Sequence, residues 1–293
     1  MPAPASLDHI PEFVRSFDGT RIAVRRLGSG DRLPLLIANA VGANLAVWRR
    51  VLPALVGDRP AVTWDLRGLL ESGEPASDRI DPGAHAEDAM AALDASGIDR
   101  VVLASWSNGS RIALEISARY PERVARLAIV CGGYGHSPAR LFTRLEPFSL
   151  LPTAAGVAKH FSSLFGGVLR SIAGRREISA LIRHSGLVAA SADVVALADL
   201  LRGFSSSDPK RLLATYEAVA GSHAPTLLRS IQSPTLVVAG SRDPLTTRAM
   251  AEETAQSIPG AGILIYDGAT HYLPLEFPTR LAEDLGRFFA TAG

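Results

Sequence analysis

Hydrophobic positions along the first half of the chain fall into short apolar runs separated by amphipathic stretches. The runs Leu33–Ala38, Ala61–Asp65, Val101–Trp106 and Leu127–Cys131 are continuous enough to be strands buried on both faces. Phe13–Phe17 and Arg21–Leu27 flank Asp18-Gly19, a dipeptide that favours a tight hairpin. Between the runs, Ala43–Val56, Pro82–Ser96 and Asn108–Tyr120 carry helical periodicity. Such alternation predicts an α/β fold, a mostly parallel sheet with helices on both sides. The alternation stops after Cys131. Residues 136–230 read as helices and loops, with helices expected over Leu141–Phe148, Leu151–Phe165, Glu177–His184, Ala192–Phe204 and Pro209–Ala220. Strand pattern resumes at Thr235–Ala239 and Ile263–Tyr266, and an amphipathic helix over Pro278–Phe289 closes the chain. Residues 1–135 and 231–293 therefore form one core, and 136–230 a helical insertion.

Composition narrows the class. With 47% hydrophobic residues and a formal charge of +1 over 293 residues, the chain suits a globular protein with a large core. No basic block points to nucleic acid or to an anionic membrane. Cys131 is the only cysteine, which excludes an intrachain disulfide and a cysteine-based zinc site. No basic-then-apolar leader opens the sequence, and no apolar run reaches membrane-spanning length, so the expected compartment is the cytoplasm.

Chemistry concentrates at Ser105-Trp106-Ser107-Asn108-Gly109. A serine hydroxyl becomes a useful nucleophile only when the backbone holds it exposed beside a base. The sharp strand-to-helix turn that does so brings residues −2 and +2 close together, so both must be small. For Ser107 they are Ser105 and Gly109. Ser105 and Ser110 fail the same test, having Leu103 at −2 and Ile112 at +2.

The base and its orienting acid should sit where other strands end. Of seven histidines, His9 lies in the leading segment, His85 near a helix start, and His136, His160, His184 and His223 in the helical insertion; His271 follows a strand through Asp267-Gly268-Ala269-Thr270. Asp243, in Gly240-Ser241-Arg242-Asp243, stands just past the preceding strand. Asp267 is the competing acid, but four residues before the histidine it is expected to shape the turn. Two N–H groups should receive the oxyanion formed on attack, those of Asn108 and of Val41 in Asn39-Ala40-Val41-Gly42. Asn39, Leu69 and Trp106 are the expected substrate-facing neighbours, with packing under the sheet edge the alternative for Trp106. Phe142, Phe148, Leu151, Phe161 and Phe165 of the insertion could roof the site. No motif calls for a metal or an organic cofactor.

Together these residues resemble the α/β-hydrolase superfamily over nearly the whole chain except the insertion. Asp65-Leu66-Arg67-Gly68 looks like the family's turn after its fourth strand, and Gly268-Ala269-Thr270-His271 with Glu276 and Pro278 like its histidine loop. The resemblance implies a helical cap where the insertion falls, after the sixth strand, and a Ser107–Asp243–His271 triad. Two stretches depart from the family pattern: Asn39-Ala40 replaces His-Gly, and Leu69-Leu70-Glu71-Ser72 replaces a glycine- and histidine-rich continuation. The stretch from Asn39 to Trp48 is similar to the corresponding loop of 3-oxoadipate enol-lactonases.

A serine nucleophile argues against the dehalogenase and epoxide hydrolase branches, which use aspartate there. The expected activity is hydrolysis of a small carboxylic ester or lactone by a monomer or homodimer. C–C bond hydrolysis, thioester hydrolysis and acyl transfer remain open alternatives, as does a ligand receptor on the same fold.

Overall fold

Every strand at the centre of the sheet is apolar on both sides, and this decides the architecture. The computed structural model describes residues 10–134, 188–222 and 225–291. It contains one eight-stranded sheet of β1 (Glu12–Arg15), β2 (Arg21–Leu27), β3 (Leu35–Ala38), β4 (Ala61–Trp64), β5 (Val101–Trp106), β6 (Val124–Val130), β7 (Thr235–Gly240) and β8 (Gly262–Tyr266). The spatial order is β1-β2-β4-β3-β5-β6-β7-β8. β2 runs antiparallel to both of its neighbours, and all pairs from β4 to β8 are parallel.

Side chains alternate between two cores with the period of two that a strand imposes. Along β5, Val102, Ala104 and Trp106 enter one core, while Val101 and Leu103 enter the other. On the first face lie α1 (Leu52–Leu55), α4 (Val194–Ser206), α8 (Leu273–Glu276) and α9 (Pro278–Ala290). On the second lie α2 (Pro82–Asp94), α3 (Gly109–Arg119), α6 (Pro225–Arg229) and α7 (Arg248–Ser257). The stretch expected as one helix over Ala43–Val56 is two short pieces, a 3₁₀ turn at Leu45–Trp48 capped by Asn44, and α1. Pro53 explains the break, since proline cannot donate inside a helix and is tolerated in its first turn.

Of the insertion, α4 and α5 (Pro209–Ala220) match two of the expected helices, each opened by an aspartate side chain at its N-cap. The expected helices at 141–148, 151–165 and 177–184, with Phe142, Phe148, Leu151, Phe161 and Phe165, lie outside the described residues. The described part of the insertion is tied to the core beside β3. Arg49 pairs with Asp199, the Asn44 side-chain amide donates to the Asp199 carbonyl, and the Leu70 N–H donates to Ser207 Oγ.

One buried ion network locks the hairpin to the sheet. Fully buried Arg67 grips Asp88 of α2 with two N–H groups, at 2.8 and 2.6 Å, and reaches Asp18 of the hairpin turn at 2.8 Å. Burial pushes the Asp88 carboxyl up, but the hydrogen bonds and charge of Arg67 outweigh it and hold it below the usual carboxylate range. Asp18 is likewise held low against its burial, by Ser77 and Thr20 and then by Arg67. Arg67→Met leaves the buried Asp88 carboxylate without its countercharge and should cost about 3–5 kcal/mol in urea unfolding. Carboxyls depressed in the folded state stabilise it above their unfolded pKa and lose that contribution as pH falls through the folded one. The variant's stability should therefore fall less on acidification than that of the wild type.

Candidate active site

The strand order reverses between β3 and β5, which leave the sheet centre in opposite directions through β4 and β6. In an open α/β sheet the crevice for a ligand opens at such a point, past the carboxyl ends of the strands. The loop Asn39–Gly42 follows β3, Ser107 follows β5, Asp243 follows β7 and His271 follows β8.

The turn after β5 is as sharp as the spacing of small residues predicts. Ser107 has φ of 56°, a left-handed conformation that costs an L-residue roughly 1–2 kcal/mol. Its N–H is held by the Val130 carbonyl of β6 at 3.0 Å, and its own carbonyl accepts from the Ser110 N–H. At Gly109 a Cβ would stand 2.5 Å from the carbonyl oxygens of both Ala38 and Asn39, so only glycine lets the turn pack against β3. Ser105 is fully buried and bonds the Ala128 carbonyl at 3.3 Å, a contact that a glycine there could not make.

His271 meets Ser107 on one side and Asp243 on the other. Its Nε2 lies 2.7 Å from Ser107 Oγ and its Nδ1 lies 2.9 Å from Asp243 Oδ2. The other oxygen of Asp243 accepts from the N–H groups of Leu245 and Thr246, each at 2.8 Å, which fixes the carboxylate plane. The competing acid, Asp267, is turned away and accepts from Ser241 Oγ. Buried Glu276 holds the histidine loop from below, accepting from the Thr270 N–H and hydroxyl and from the Ala189 N–H.

A cavity of about 80 Å³ opens beside Ser107 and His271, and Asn108, Arg111, Tyr216 and Met250 help to line it. Arg111 donates to the Ser222 carbonyl and lies over the Tyr134 ring; burial lowers its pKa. Arg111 stands one helical turn beyond Ser107, a position the sequence makes visible. Tyr216 and Met250 belong to elements remote in sequence, and no local signal marks them. Among the described residues no cluster of histidine, cysteine and carboxylates is arranged to hold a metal ion. Burial raises the Cys131 thiol far above its ordinary range, which leaves it unreactive beside the site.

The three residues expected to face a substrate, Asn39, Leu69 and Trp106, are all buried. The Asn39 amide is buried, donating to Thr63 Oγ1 at 3.1 Å and accepting from the Trp48 indole N–H at 3.0 Å. Asparagine in place of histidine there braces the loop from inside and does not line the cavity. Leu69 is packed in the second core. Trp106 is buried too: its indole donates to the His271 carbonyl at 3.1 Å and its ring lies 5.5 Å from the imidazole. These contacts match the packing alternative for Trp106. Val41 is where the sequence places it, but its N–H donates to the Asn108 side-chain oxygen at 2.9 Å.

Comparison with known proteins agrees with this architecture. The chain is 27% identical to the 2-hydroxymuconate semialdehyde hydrolase of Pseudomonas sp. (strain CF600), over 96% of this chain and 95% of that protein. Among solved structures it is similar to Est816, described as an N-acyl homoserine lactone degrading enzyme, with 29% identity and a TM-score of 0.70, over 94% and 100% of the two chains. The enol-lactonase from Burkholderia xenovorans LB400 shares the fold at 19% identity, with a TM-score of 0.71 over 96% of this chain and 100% of that one. Residues 34–278 match the sequence model of the alpha/beta hydrolase fold, from β3 to the start of α9, and the chain belongs to that hydrolase family.

Proposed function

We propose that this protein hydrolyses a carboxylic ester or lactone through an acyl-enzyme on Ser107. The observation that carries the reading is the continuous contact from Ser107 Oγ through the His271 ring to Asp243. The Nδ1–H of His271 donates to Asp243, so Nε2 is left as the acceptor for the Ser107 proton. As Oγ attacks the acyl carbon, its proton passes to Nε2, and the carbonyl oxygen becomes an oxyanion facing the N–H groups of Val41 and Asn108. Collapse breaks the bond to the leaving alkoxide, which takes the proton from Nε2. A water then loses a proton to Nε2 and attacks the acyl carbon; the acid departs and the proton returns to Oγ. In a lactone, acid and alcohol leave as one molecule.

Likeness to a lactone-degrading enzyme at 29% identity supports the bond type. The 27% identity with a semialdehyde hydrolase favours, as the second reading, cleavage of a C–C bond next to a carbonyl by the same residues. A fluorophosphonate and a substrate panel separate the two. The ester reading expects stoichiometric labelling at Ser107 and turnover of aryl esters and N-acyl homoserine lactones. Labelling at Ser107 with turnover of 2-hydroxymuconate semialdehyde alone would overturn it in favour of the second. Absence of labelling would sink both.

A further inference from the structure

An asparagine at the N-cap of a helix ordinarily turns its side-chain oxygen back onto the N–H groups of its own first turn. Asn108 is the N-cap of α3 and makes no such bond. The N–H groups it would have capped, on Ser110 and Arg111, are taken by the backbone carbonyls of Ser107 and Asn108. The Asn108 oxygen instead crosses to the β3 loop and accepts from the Val41 N–H at 2.9 Å. That N–H is the donor which the reading above assigns to the oxyanion, and Asn108 also lines the cavity.

We propose that the Asn108 carboxamide is the resting occupant of the oxyanion site and decides which oxygen can enter it. The inference rests on the ester-hydrolysis reading, in which the Val41 N–H receives the substrate oxygen. The backbone on either side of this bond has little freedom. Gly109 is wedged against the Ala38 and Asn39 carbonyls, and Asn39 is braced by Thr63 and Trp48. The movable part is the Asn108 side chain, which must rotate out for the donor to be used.

The exchange has a direction set by charge. A neutral ester carbonyl is no better an acceptor than the amide oxygen it would replace, so it gains nothing by entering. An oxyanion makes a charge-assisted bond about twice as strong and displaces the amide. The Val41 donor thus acts on the transition state and hardly on bound substrate, which is the condition for raising kcat rather than lowering KM.

The test uses the 15N-labelled protein, a fluorophosphonate whose phosphonyl oxygen enters the site on attack, and the variants Asn108→Ala and Asn108→Asp. On formation of the Ser107 adduct, the Val41 amide resonance should shift and the Asn108 side-chain NH2 signals should move to a fast-exchanging, solvent-exposed state. Asn108→Ala removes the occupant and should speed labelling roughly two- to tenfold. Asn108→Asp places a permanent anionic oxygen on the donor and should slow labelling about a hundredfold. If the adduct forms while the Val41 and Asn108 signals stay put, the inference fails and the hydrolase reading survives. If Asn108→Ala slows labelling as much as Asn108→Asp, the side chain supports the site and does not occupy it, and the inference again fails. If the wild type gives no adduct, the ester reading falls. The inference, which rests on that reading, then falls with it, whereas an adduct formed with unmoved signals overturns the inference alone.

Discussion

Ser107→Ala should lower kcat on aryl esters or lactones by about 10⁵- to 10⁶-fold while leaving the protein folded. The size follows from how the three side chains depend on one another. Without Oγ, His271 has no proton to take at 2.7 Å, and Asp243 orients a base with nothing to activate. What survives is the stabilisation offered by backbone N–H groups, so a residual rate above that of water is expected. Stability should barely move, because the alanine keeps the left-handed φ of 56° and loses one half-buried hydrogen bond. Ser107→Gly makes the control sharper. It abolishes activity equally, yet glycine tolerates that φ, so its unfolding free energy should exceed that of Ser107→Ala by up to about 1 kcal/mol. Thermal unfolding beside active-site-titrated kinetics reads both. A Ser107→Ala enzyme still turning over within tenfold of the wild type would remove Ser107 from the mechanism.

The reason these residues were visible in the sequence is that each stands where an apolar run breaks. Strands buried on both faces read as uninterrupted apolar blocks, so their carboxyl ends can be located to within a residue or two. β5 ends where Val101–Trp106 predicts and β7 one residue past Thr235–Ala239; β8, a partly exposed edge strand, ends with Ile263–Tyr266, and the structure brings the three following side chains into contact. Loop side chains lack that periodicity. Whether Asn39 faces a substrate or the core depends on Thr63, on the neighbouring strand 24 residues away, and on Trp48, in a turn whose form Pro53 helps to dictate. Leu69 sits in a turn with no repeating pattern, and its neighbour Leu70 takes a left-handed φ of 52° that its own side chain does not favour. Trp106 is ambiguous in the sequence for another reason: its indole partner, the His271 carbonyl, lies 165 residues along the chain. The Asn108–Val41 bond is hidden in the same way, because N-cap preference alone points the asparagine at its own helix.

Asp243→Asn should cost about 10⁴-fold in kcat although it alters a single atom. The two N–H groups of Leu245 and Thr246 determine which atom faces which partner. Both donate to one oxygen of Asp243, and an asparagine can satisfy them only by placing its carbonyl oxygen there. Its NH2 then faces His271 Nδ1, at a position where the carboxylate oxygen stood 2.9 Å away. Two donors cannot share that contact, so the imidazole is driven to the tautomer with its proton on Nε2. In that form it offers Ser107 a hydrogen where it should offer a lone pair, and the nucleophile is no longer activated. The geometry of the site is kept, so unfolding and the cavity should be little changed. Asp267→Asn supplies the contrast. Its carboxylate bonds Ser241 and stands clear of the imidazole, so activity should stay within about threefold of the wild type. If the two variants exchanged these phenotypes, Asp267 would be the orienting acid, and the loop after β7 would only shape the turn.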